Sequence, residues 1–363
     1  MMYGFRNILL LALWLVITRA FAQVDDLRYP SVQADSLLNH YFTCDSGWNG
    51  GDGAYSLQLP DDRILWWFGD SFFGTVGPDR NRNGNQNVMV RNAFLVQESR
   101  YSGNFMVLNP GHLKNTQSMV KYKDSDESER WYWPLDATIC DNQVHMVLMR
   151  MKKVGEGMWG FASEAVDLAV FSLPELKLTN LIYDKCPGEV SYGSAIFEGD
   201  DGFTYLYGSS RTGLETHLHV ARVPGNNLTA DWEFLDVDRW QSGPTRYAIH
   251  TQVSSMFSVW KEQGRYLLLT QEANLGRKLF LFEAASPLGP FVDGRVVYEI
   301  TEAHGAGGMI SYNAIVHPEL SSPDAWMVGY SINPSNFWDN FSKPGSADKY
   351  RPVFIRIRKD FEK

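Results

Sequence analysis

The sequence contains little cysteine and no excess of basic residues. Its 363 residues include 3 cysteines, an odd number at wide spacing, which excludes a disulfide framework and a Cys-x-x-Cys metal site. One disulfide bridge and buried free thiols both remain open. Lys and Arg number 33 against 42 Asp and Glu, which gives a net charge of -9. A nucleic-acid partner is not expected, because phosphate binding needs clustered Lys and Arg.

The sequence also lacks an apolar stretch long enough to cross a bilayer. Residues 8–17 are wholly apolar and are followed closely by Ala20-Phe21-Ala22. This run is too short for a membrane span, and an Ala-x-Ala ending is typical of a cleaved export signal. We therefore expect a signal peptide at residues 1–22 and a mature protein that is secreted or periplasmic. Residues 23–363 contain no Pro/Gly/Ser-rich linker, so we expect one domain and a monomer.

An internal repeat is the main feature that the sequence does have. Five segments begin with a small or polar residue, become apolar, pass a polar turn and enter a second apolar run. Measured at Ala54, Ala137, Ala195, Met256 and Ala314, they recur at intervals of 83, 58, 61 and 58 residues. Four units therefore share one size and the first carries an insertion, which is typical of a repeat architecture.

The second apolar runs of the units indicate strands. They are short and rich in aromatic and aliphatic residues, as in Ile64–Phe68 and Phe203–Tyr207, and turn-forming residues such as those at 60–62 separate the paired runs. Five such units predict an all-β fold, a five-bladed β-propeller with blades of about four antiparallel strands. The alternative is an irregular β-sandwich whose spacing is accidental.

Acidic residues open or end several of these units. The first strand of a propeller blade lines the central channel, which favours Asp52 in the first unit and Asp136 in the second as site residues. Glu272 ends the second strand of the fourth unit. Confined carboxylates separate each other's pKa values, so that one donates a proton while the other stays charged, as glycoside hydrolysis requires. We predict that Asp52 is the base or nucleophile, Asp136 orients and tunes it, and Glu272 is the acid.

Several other residues are predicted to bind a substrate. Aromatic residues make up 14% of the chain; most should pack between blades, but rings beside carboxylates and amides are typical of a carbohydrate cleft. The predicted substrate-binding residues are Trp48, Asp70, Arg91, Trp133, Tyr192, Arg211, His250 and Asn313. Some of the predicted site residues have a structural alternative. Asp52 and Asp70 stand beside glycines, where an Asp commonly stabilises a turn, and Arg91 could form a structural ion pair.

A calcium loop is an alternative at residues 79–85 in the insertion of the first unit. The run Asp-Arg-Asn-Arg-Asn-Gly-Asn matches the opening of such a loop at positions one, three, five and six. No Glu stands at the twelfth position, and only one of the ligands is anionic. The other reading is an Asn/Gly surface loop, and we expect that no cofactor is required.

The stretch Gly50–Phe73, together with Met89–Phe94, resembles a group of secreted bacterial domains once labelled as of unknown function, types 4185 and 5005. Leu218–Pro224 and Phe280–Phe291 look like outer-strand patterns of five-bladed propeller glycosidases. The element Phe-Gly-Asp-Ser-Phe at residues 68–72 is the sharpest motif of the resemblance. The resemblance implies a propeller fold and hydrolysis of a glycan, because some relatives of the first type cleave furanose polymers such as arabinan.

The chain is also similar to arabinanase-like propellers of glycoside hydrolase family 43. These place an Asp in blade one, an Asp in blade two and a Glu in blade three, and Asp52 and Asp136 match the first two places by position. The third place has no clear match, which leaves Glu189 or Glu272. Two alternatives to a hydrolase stay open: a non-catalytic glycan-binding propeller, and a lyase or sialidase-like enzyme that uses the arginines on acidic sugars.

Overall fold

The structure is a computed structural model that describes residues 31–123, 125–157, 159–213, 215–273, 275–302 and 308–359. The predicted signal peptide lies outside the described residues. The described part of the chain holds no helix with the length and apolar character that a membrane span requires. The thiols of Cys44, Cys140 and Cys186 are free, and the last two are buried, which agrees with the alternative of free thiols.

Strands dominate the described residues, as the sequence predicts. In chain order they are β1 (Val32–Ala34), β2 (Ser46–Gly51), β3 (Tyr55–Gln58), β4 (Ile64–Phe68), β5 (Ser71–Val76), β6 (Arg82–Val90), β7 (Ala93–Gln97), β8 (Phe105–Val107), β9 (Arg130–Cys140), β10 (Gln143–Lys153), β11 (Phe161–Ser172), β12 (Leu178–Pro187), β13 (Ser191–Glu198), β14 (Phe203–Thr212), β15 (Glu215–Pro224), β16 (Glu233–Asp236), β17 (Arg239–Gln241), β18 (His250–Thr251), β19 (Phe257–Glu262), β20 (Arg265–Gln271), β21 (Lys278–Ala284), β22 (Val292–Glu299), β23 (Met309–Val316), β24 (Ala325–Pro334) and β25 (Arg351–Arg358).

Helices are few and short in the same residues. The α-helix α1 (Ser36–Tyr41) begins at Asp35, whose carboxylate accepts a hydrogen bond from the backbone N–H of Leu38 (2.8 Å) and so satisfies one of the free amides of the first turn. The remaining helical segments are 3-10 turns at Leu113–Asn115, Pro318–Leu320, Phe337–Asn340 and Ser346–Asp348.

Five antiparallel sheets repeat one order of strands. They are β3-β4-β7-β8, β9-β10-β11-β12, β13-β14-β15-β16, β19-β20-β21-β22 and β23-β24-β25-β1, which we call the first to fifth sheets; β17 and β18 extend the third. In the fifth sheet, the amino-terminal β1 pairs with the carboxy-terminal β25, with Gln33 opposite Arg356. A sixth sheet, β2-β5-β6, is formed largely by the insertion predicted in the first unit.

Hydrophobic clusters fill the space between successive sheets. One large cluster joins the first, second and third sheets, another joins the third and fourth, and another joins the fourth and fifth. A further cluster packs Trp66 and Phe68 of the first sheet with Phe354 of the fifth. Each sheet is therefore covered on both faces, which is why its middle strands are almost continuously apolar.

The first strands of the five sheets surround one cavity. Residues of β3, β9, β13, β19 and β23 line a cavity of about 360 Å³. The register between first and second strands shifts by a β-bulge just before Ala137 in β9 and Ala195 in β13, and at Asn313 and Ala314 in β23. These three alanines belong to the sequence repeat. In three of the five units the repeated residue therefore lies at a β-bulge, which changes the direction of the inner-strand side chains.

Candidate active site

Asp52 and Asp70 lie side by side at one end of the first sheet. The backbone N–H of Asp52 donates to the carbonyl of Asp70 (3.2 Å), and the N–H of Gly69 donates to the carbonyl of Asp52 (2.8 Å). A Cβ at residue 69 would lie 2.7 Å from Asp52 Oδ1, which is too close for any side chain. Because Gly69 has no Cβ, the Asp52 carboxylate can lie against the backbone beside Asp70. This explains why a glycine precedes Asp70 in the motif.

A cation and an indole hold the carboxylate of Asp70. Arg91 Nη1 lies 3.2 Å from Asp70 Oδ2, and Trp133 Nε1 donates to Asp70 Oδ1 (3.0 Å). The Arg91 guanidinium also lies 4.2 Å from the ring centre of Trp131, and its Nε donates to the carbonyl of Glu127 (3.2 Å). These contacts fix the guanidinium from two sides, and the Asp70 carboxylate is oriented by charge-assisted hydrogen bonds.

Tyrosine hydroxyls hold the carboxylate of Asp52. The hydroxyl of Tyr312 donates to Asp52 Oδ2 (2.8 Å), and Asn333 Nδ2 donates to that hydroxyl oxygen (3.1 Å). Asn340 Nδ2 in turn donates to Asn333 Oδ1 (3.2 Å). The second tyrosine, Tyr350, donates to the carbonyl of Asp70 (3.0 Å). The fifth sheet thus positions the Asp52 carboxylate through Tyr312, while Trp133 of the second sheet and Arg91, between β6 and β7, position the Asp70 carboxylate.

The two carboxyl groups differ in proton affinity. Burial, followed by the charge of Asp70, raises the pKa of Asp52 to about 7, although the hydroxyls of Tyr312 and Tyr350 oppose this rise. Burial also raises the pKa of Asp70, and Arg91 and Trp133 oppose that shift. Two close anions are costly to ionise together, so Asp70 loses its proton first and Asp52 keeps its proton to a higher pH.

Asn313 borders the same site. It occupies the bulge of β23 with φ at 58°, a left-handed conformation that Asn tolerates better than most residues. A Cβ on Gly53 would lie 3.6 Å from Asn313 Nδ2, which places the amide next to Asp52. Of the predicted substrate-binding residues, Asp70, Arg91, Trp133 and Asn313 therefore meet around Asp52.

Asp136 lies elsewhere, in the central cavity. Its carboxylate accepts hydrogen bonds from the backbone N–H groups of Ala137 (2.8 Å) and of Ile196 on β13 (2.7 Å). Burial raises the pKa of Asp136 to about 7 against the effect of these two amides. The residue lines the cavity together with Glu319 and Ser56. The structure therefore brings Asp52 together with Asp70, and it uses Asp136 to tie two neighbouring inner strands.

Glu272 lies at the corresponding end of the fourth sheet. Its N–H donates to the carbonyl of Lys278 (2.8 Å), and its carbonyl accepts from the N–H of Gly276 (2.7 Å), so its backbone forms the turn after β20. The fourth sheet packs against the third and fifth sheets, which places Glu272 in another sector from Asp52. The reserve acid, Glu189, is exposed and lies 3.9 Å from Arg246.

Two of the predicted substrate-binding rings are in the core. Trp48 is 2% exposed, packs against Phe42 and Phe68 and donates to Ser71 Oγ (3.3 Å). Tyr192 is equally buried, with its ring against Phe234. Neither ring has a free face, so the structure does not support the interpretation that they stack on a ligand, and both serve packing.

His250 and Arg211 are also placed away from Asp52. His250 lies in β18, before the inner strand β19, and pairs with Leu218 at the edge of the third sheet. Its ring packs against Phe282 at 4.7 Å. Arg211 is exposed on the β14–β15 hairpin and donates to the carbonyl of Gly213 (3.0 Å).

Sequence reasoning missed Tyr350 and Asn340 and did not assign Tyr312 a role. Tyr312 opens the inner strand of the fifth unit, a position that could have identified it. Tyr350 and Asn340 lie in the irregular segment between β24 and β25, outside the repeat, so no pattern in the sequence links them to Asp52.

Hydrogen bonds and ion pairs hold residues 79–85, the alternative calcium loop. Asp79 Oδ1 accepts a hydrogen bond from Asn81 Nδ2 (2.7 Å), Arg80 pairs with Asp348 (2.7 Å), and Arg82 is buried and donates to the carbonyl of Asn49 (2.8 Å). Among the described residues, no group of three or more His, Cys, Asp and Glu is arranged to hold a metal ion. The calcium alternative gains no support from these contacts.

Solved structures with a similar fold act on sugars or are described as hydrolases. A protein from Bacteroides ovatus described as a "putative hydrolase" is 26% identical, with a TM-score of 0.78 over 92% of this chain and 93% of that one. A xylan β-1,4-xylosidase from Bacillus halodurans is 12% identical, with a TM-score of 0.51 over 89% and 53% of the two chains. An exo-β-1,3-galactanase from Phanerochaete chrysosporium is 13% identical, with a TM-score of 0.50 over 86% and 61%.

The likeness to the xylosidase and the galactanase shows the fold alone, a β-propeller of the kind found in glycosidases. None of the curated proteins matches the sequence. A family model described as "Domain of unknown function (DUF5005)" matches residues 35–360, a range that holds both aspartates and all the strands of the five sheets except β1. The chain therefore belongs to the DUF5005 family, as the motif around Asp70 suggested.

Proposed function

We propose that this protein is an exported glycoside hydrolase that cleaves its substrate with Asp52 and Asp70. The observation that carries the proposal is the carboxylate pair itself: two partly exposed aspartates, joined through their backbones and held by different partners. Retaining and inverting glycosidases both need two carboxyl groups beside the scissile bond, one protonated and one charged.

The electrostatics of the pair assign the roles. Asp70 is the carboxylate that attacks the sugar or activates water, because Arg91 and Trp133 stabilise its charge. Asp52 is the acid that protonates the leaving oxygen, because its pKa is raised to about 7 and a group of that pKa donates a proton efficiently near neutral pH. The sequence analysis predicted that Asp52 is the base or nucleophile and that Glu272 is the acid. In this proposal Asp52 is the acid and Asp70 is the base or nucleophile.

We further propose that residues 23–363 form one five-bladed propeller. Five sheets with the same order of strands and hydrophobic clusters between successive sheets, including the fifth and the first, support that number. In this arrangement β2-β5-β6 is an addition to the first blade that covers the site. The export signal at residues 1–22 and a secreted or periplasmic location belong to the same proposal.

The experiment is a search for new reducing ends when the pure protein meets a panel of plant and bacterial polysaccharides, with arabinan-type furanose polymers included. We expect release from at least one glycan and loss of release in Asp70→Asn. The matched variant Glu272→Gln should keep its activity. If Glu272→Gln is inactive while Asp70→Asn stays active, Glu272 is the general acid and the proposed pair is refuted.

A lyase or sialidase-like activity is less well supported. Such an enzyme needs a free arginine to bind the carboxylate of an acidic sugar. Arg91 is already committed to Asp70 and Trp131, and Arg211 lies on an exposed hairpin. Glycan binding without reducing ends, in the assay above, would instead favour the non-catalytic alternative.

A further inference from the structure

A row of aromatic rings leads from Asp70 to the solvent across the second sheet. Trp133, which donates to Asp70, lies 4.8 Å from the ring of Phe161, and Phe161 lies 6.3 Å from the ring of Trp159. Trp159 is 61% exposed at the tip of the β10–β11 hairpin. We call Trp133, Phe161 and Trp159 the first aromatic row.

A second row leads from the same aspartate in another direction. Tyr350, which donates to the carbonyl of Asp70, lies 5.3 Å from the ring of Phe72; Phe72 lies 5.2 Å from Phe341, and Phe341 lies 6.3 Å from Trp338. Trp338 is 73% exposed. We call Tyr350, Phe72, Phe341 and Trp338 the second aromatic row; its inner two rings are buried and its outer two reach the surface.

The two rows end on opposite sides of the aspartates. The first row belongs to the second sheet, whose β9 contacts β3 and β4 of the first sheet. The outer rings of the second row follow β24 of the fifth sheet, and the fifth sheet packs against the other side of the first through Phe354. Asp52 and Asp70, at the end of the first sheet, therefore lie between Trp159 and Trp338.

Trp159 and Trp338 are exposed, and each is joined to the carboxylate pair by a series of ring contacts. Large exposed apolar groups that continue into a polar site mark a binding surface. A sugar ring places its C–H face on an aromatic ring while its hydroxyls bond to amides and carboxylates, and the carboxylate pair between the rows supplies those partners. Tyr350 and Phe72 are buried and serve to anchor the second row, so its contact with a sugar falls to the outer rings. A single short sugar could reach the outer rings of one row at most, whereas a chain of sugars could reach both Trp159 and Trp338.

We propose that the substrate is a glycan chain whose interior crosses Asp52 and Asp70, with Trp159 and Trp338 as the outermost platforms on the two sides. The inference rests on the proposed function. The substrate is then a long chain that is cut at an internal bond. Both tryptophans determine the preference for chain length and take no part in breaking the bond.

The test measures kcat/KM of Trp159→Ala and Trp338→Ala on fragments of increasing length from the glycan that the wild type cleaves. Each variant should lose about tenfold on the longest chains and keep the wild-type value on the shortest fragment that is cleaved. Trp159→Phe and Trp338→Phe should recover most of the loss. Tyr101→Ala is the control, because Tyr101 is 74% exposed beyond Gln97, at the opposite end of the first sheet.

Two results would overturn the inference. One is a wild-type kcat/KM on long chains in both tryptophan variants; the other is an equal loss on short and long fragments, which indicates a general structural effect. Binding of Asp70→Asn to soluble polysaccharides in affinity gels separates this inference from the proposed function. If retardation depends on both tryptophans but the wild type hydrolyses nothing, the two aromatic rows bind a glycan and the catalytic role of Asp52 and Asp70 is rejected. If no glycan in the panel binds, the inference that the two rows bind a glycan chain is rejected.

Discussion

The end of the first sheet and the central cavity both contain aspartates with a pKa raised to about 7, yet they differ in what holds those aspartates. Asp52 accepts from the hydroxyl of Tyr312 and faces the charged Asp70. Asp136 accepts from two backbone amides, one of them on the neighbouring strand β13. The first environment couples two side chains that can exchange protons with a ligand, and the second fastens two strands.

The comparison shows that a raised pKa alone does not identify a catalytic acid. Burial is the main cause of the shift in Asp52 and in Asp136, and it acts on structural and catalytic groups alike. Asp136 also has a second carboxylate near it, Glu319, in the cavity. What distinguishes Asp52 is that its neighbouring carboxylate, Asp70, is in direct contact with an arginine, Arg91, and that exposed rings flank the pair. The partners of a titratable group are thus more informative than the size of its shift.

The largest expected effect separates these two aspartates directly. Asp52→Asn should lower turnover by about 10²–10⁴-fold, the usual contribution of a general acid, with little change in the unfolding midpoint. Asp136→Ala should leave the N–H of Ile196 without an acceptor and lower the free energy of unfolding by about 1–3 kcal/mol. Parallel assays and denaturant titrations of the two variants check this, and a stable but inactive Asp136→Ala would support the tuning role that the sequence suggested.

Gly69→Ala should have the next largest effect. A Cβ at this position would meet Asp52 Oδ1 at 2.7 Å, so the carboxylate has to move away from Asp70. A displacement of about 1 Å can cost about 10²-fold in rate. Gly243→Ala is the control, since a Cβ there meets nothing within 4 Å. Equal activity of the two variants would show that the position of Asp52 beside Asp70 is not important.

Arg91→Met should change the pH profile more than the maximal rate. Arg91 opposes the rise in the pKa of Asp70, so its removal should raise that pKa further. Asp70 must be ionised to act, and the acid limb of kcat/KM should therefore move to higher pH. Arg239→Met removes a cation paired with Asp236 far from the site and should leave the limb unchanged. An unmoved acid limb in Arg91→Met would exclude Asp70 as the group that sets it.

Tyr312→Phe should have the smallest effect. The Tyr312 hydroxyl donates to Asp52 and lowers its pKa, so its removal should raise the pKa of Asp52 above 7. Because Asp52 must be protonated, the alkaline limb of the profile should move to higher pH while the acid limb stays in place. A shift of the acid limb alone would assign the acid role to another carboxyl.

Much of the architecture was predictable because it is periodic. The repeat at Ala54, Ala137, Ala195, Met256 and Ala314 marks the inner strands or the residue just before them, and a β-bulge lies at three of these positions, Ala137, Ala195 and Ala314. The placement of His250 was not predictable in this way, because the short strand β18 that contains it comes before the inner strand β19 and lies outside the repeated order of strands.

The site was predictable only in part, because the contact between Asp52 and Asp70 is not repeated from unit to unit. Asp52 and Asp70 come together through the insertion β2-β5-β6, which exists in the first unit alone, so an analogy between units favoured Asp136 instead. Tyr350 reaches Asp70 from a distance of 280 residues in the chain. Trp48 and Trp133 both stand beside polar residues in the sequence, yet one is buried and the other contacts Asp70, and only the packing separates them.

The most direct measurement of the central claim compares Asp52→Asn and Asp70→Asn on an aryl glycoside of the sugar that the wild type releases. A good leaving group does not need protonation, so loss of the acid should matter little, whereas loss of the charged carboxylate should still stop the reaction. The account predicts near-normal release of the aryl group in the first turnover of Asp52→Asn, and none by Asp70→Asn. Aryl cleavage that survives in Asp70→Asn but fails in Asp52→Asn would contradict it.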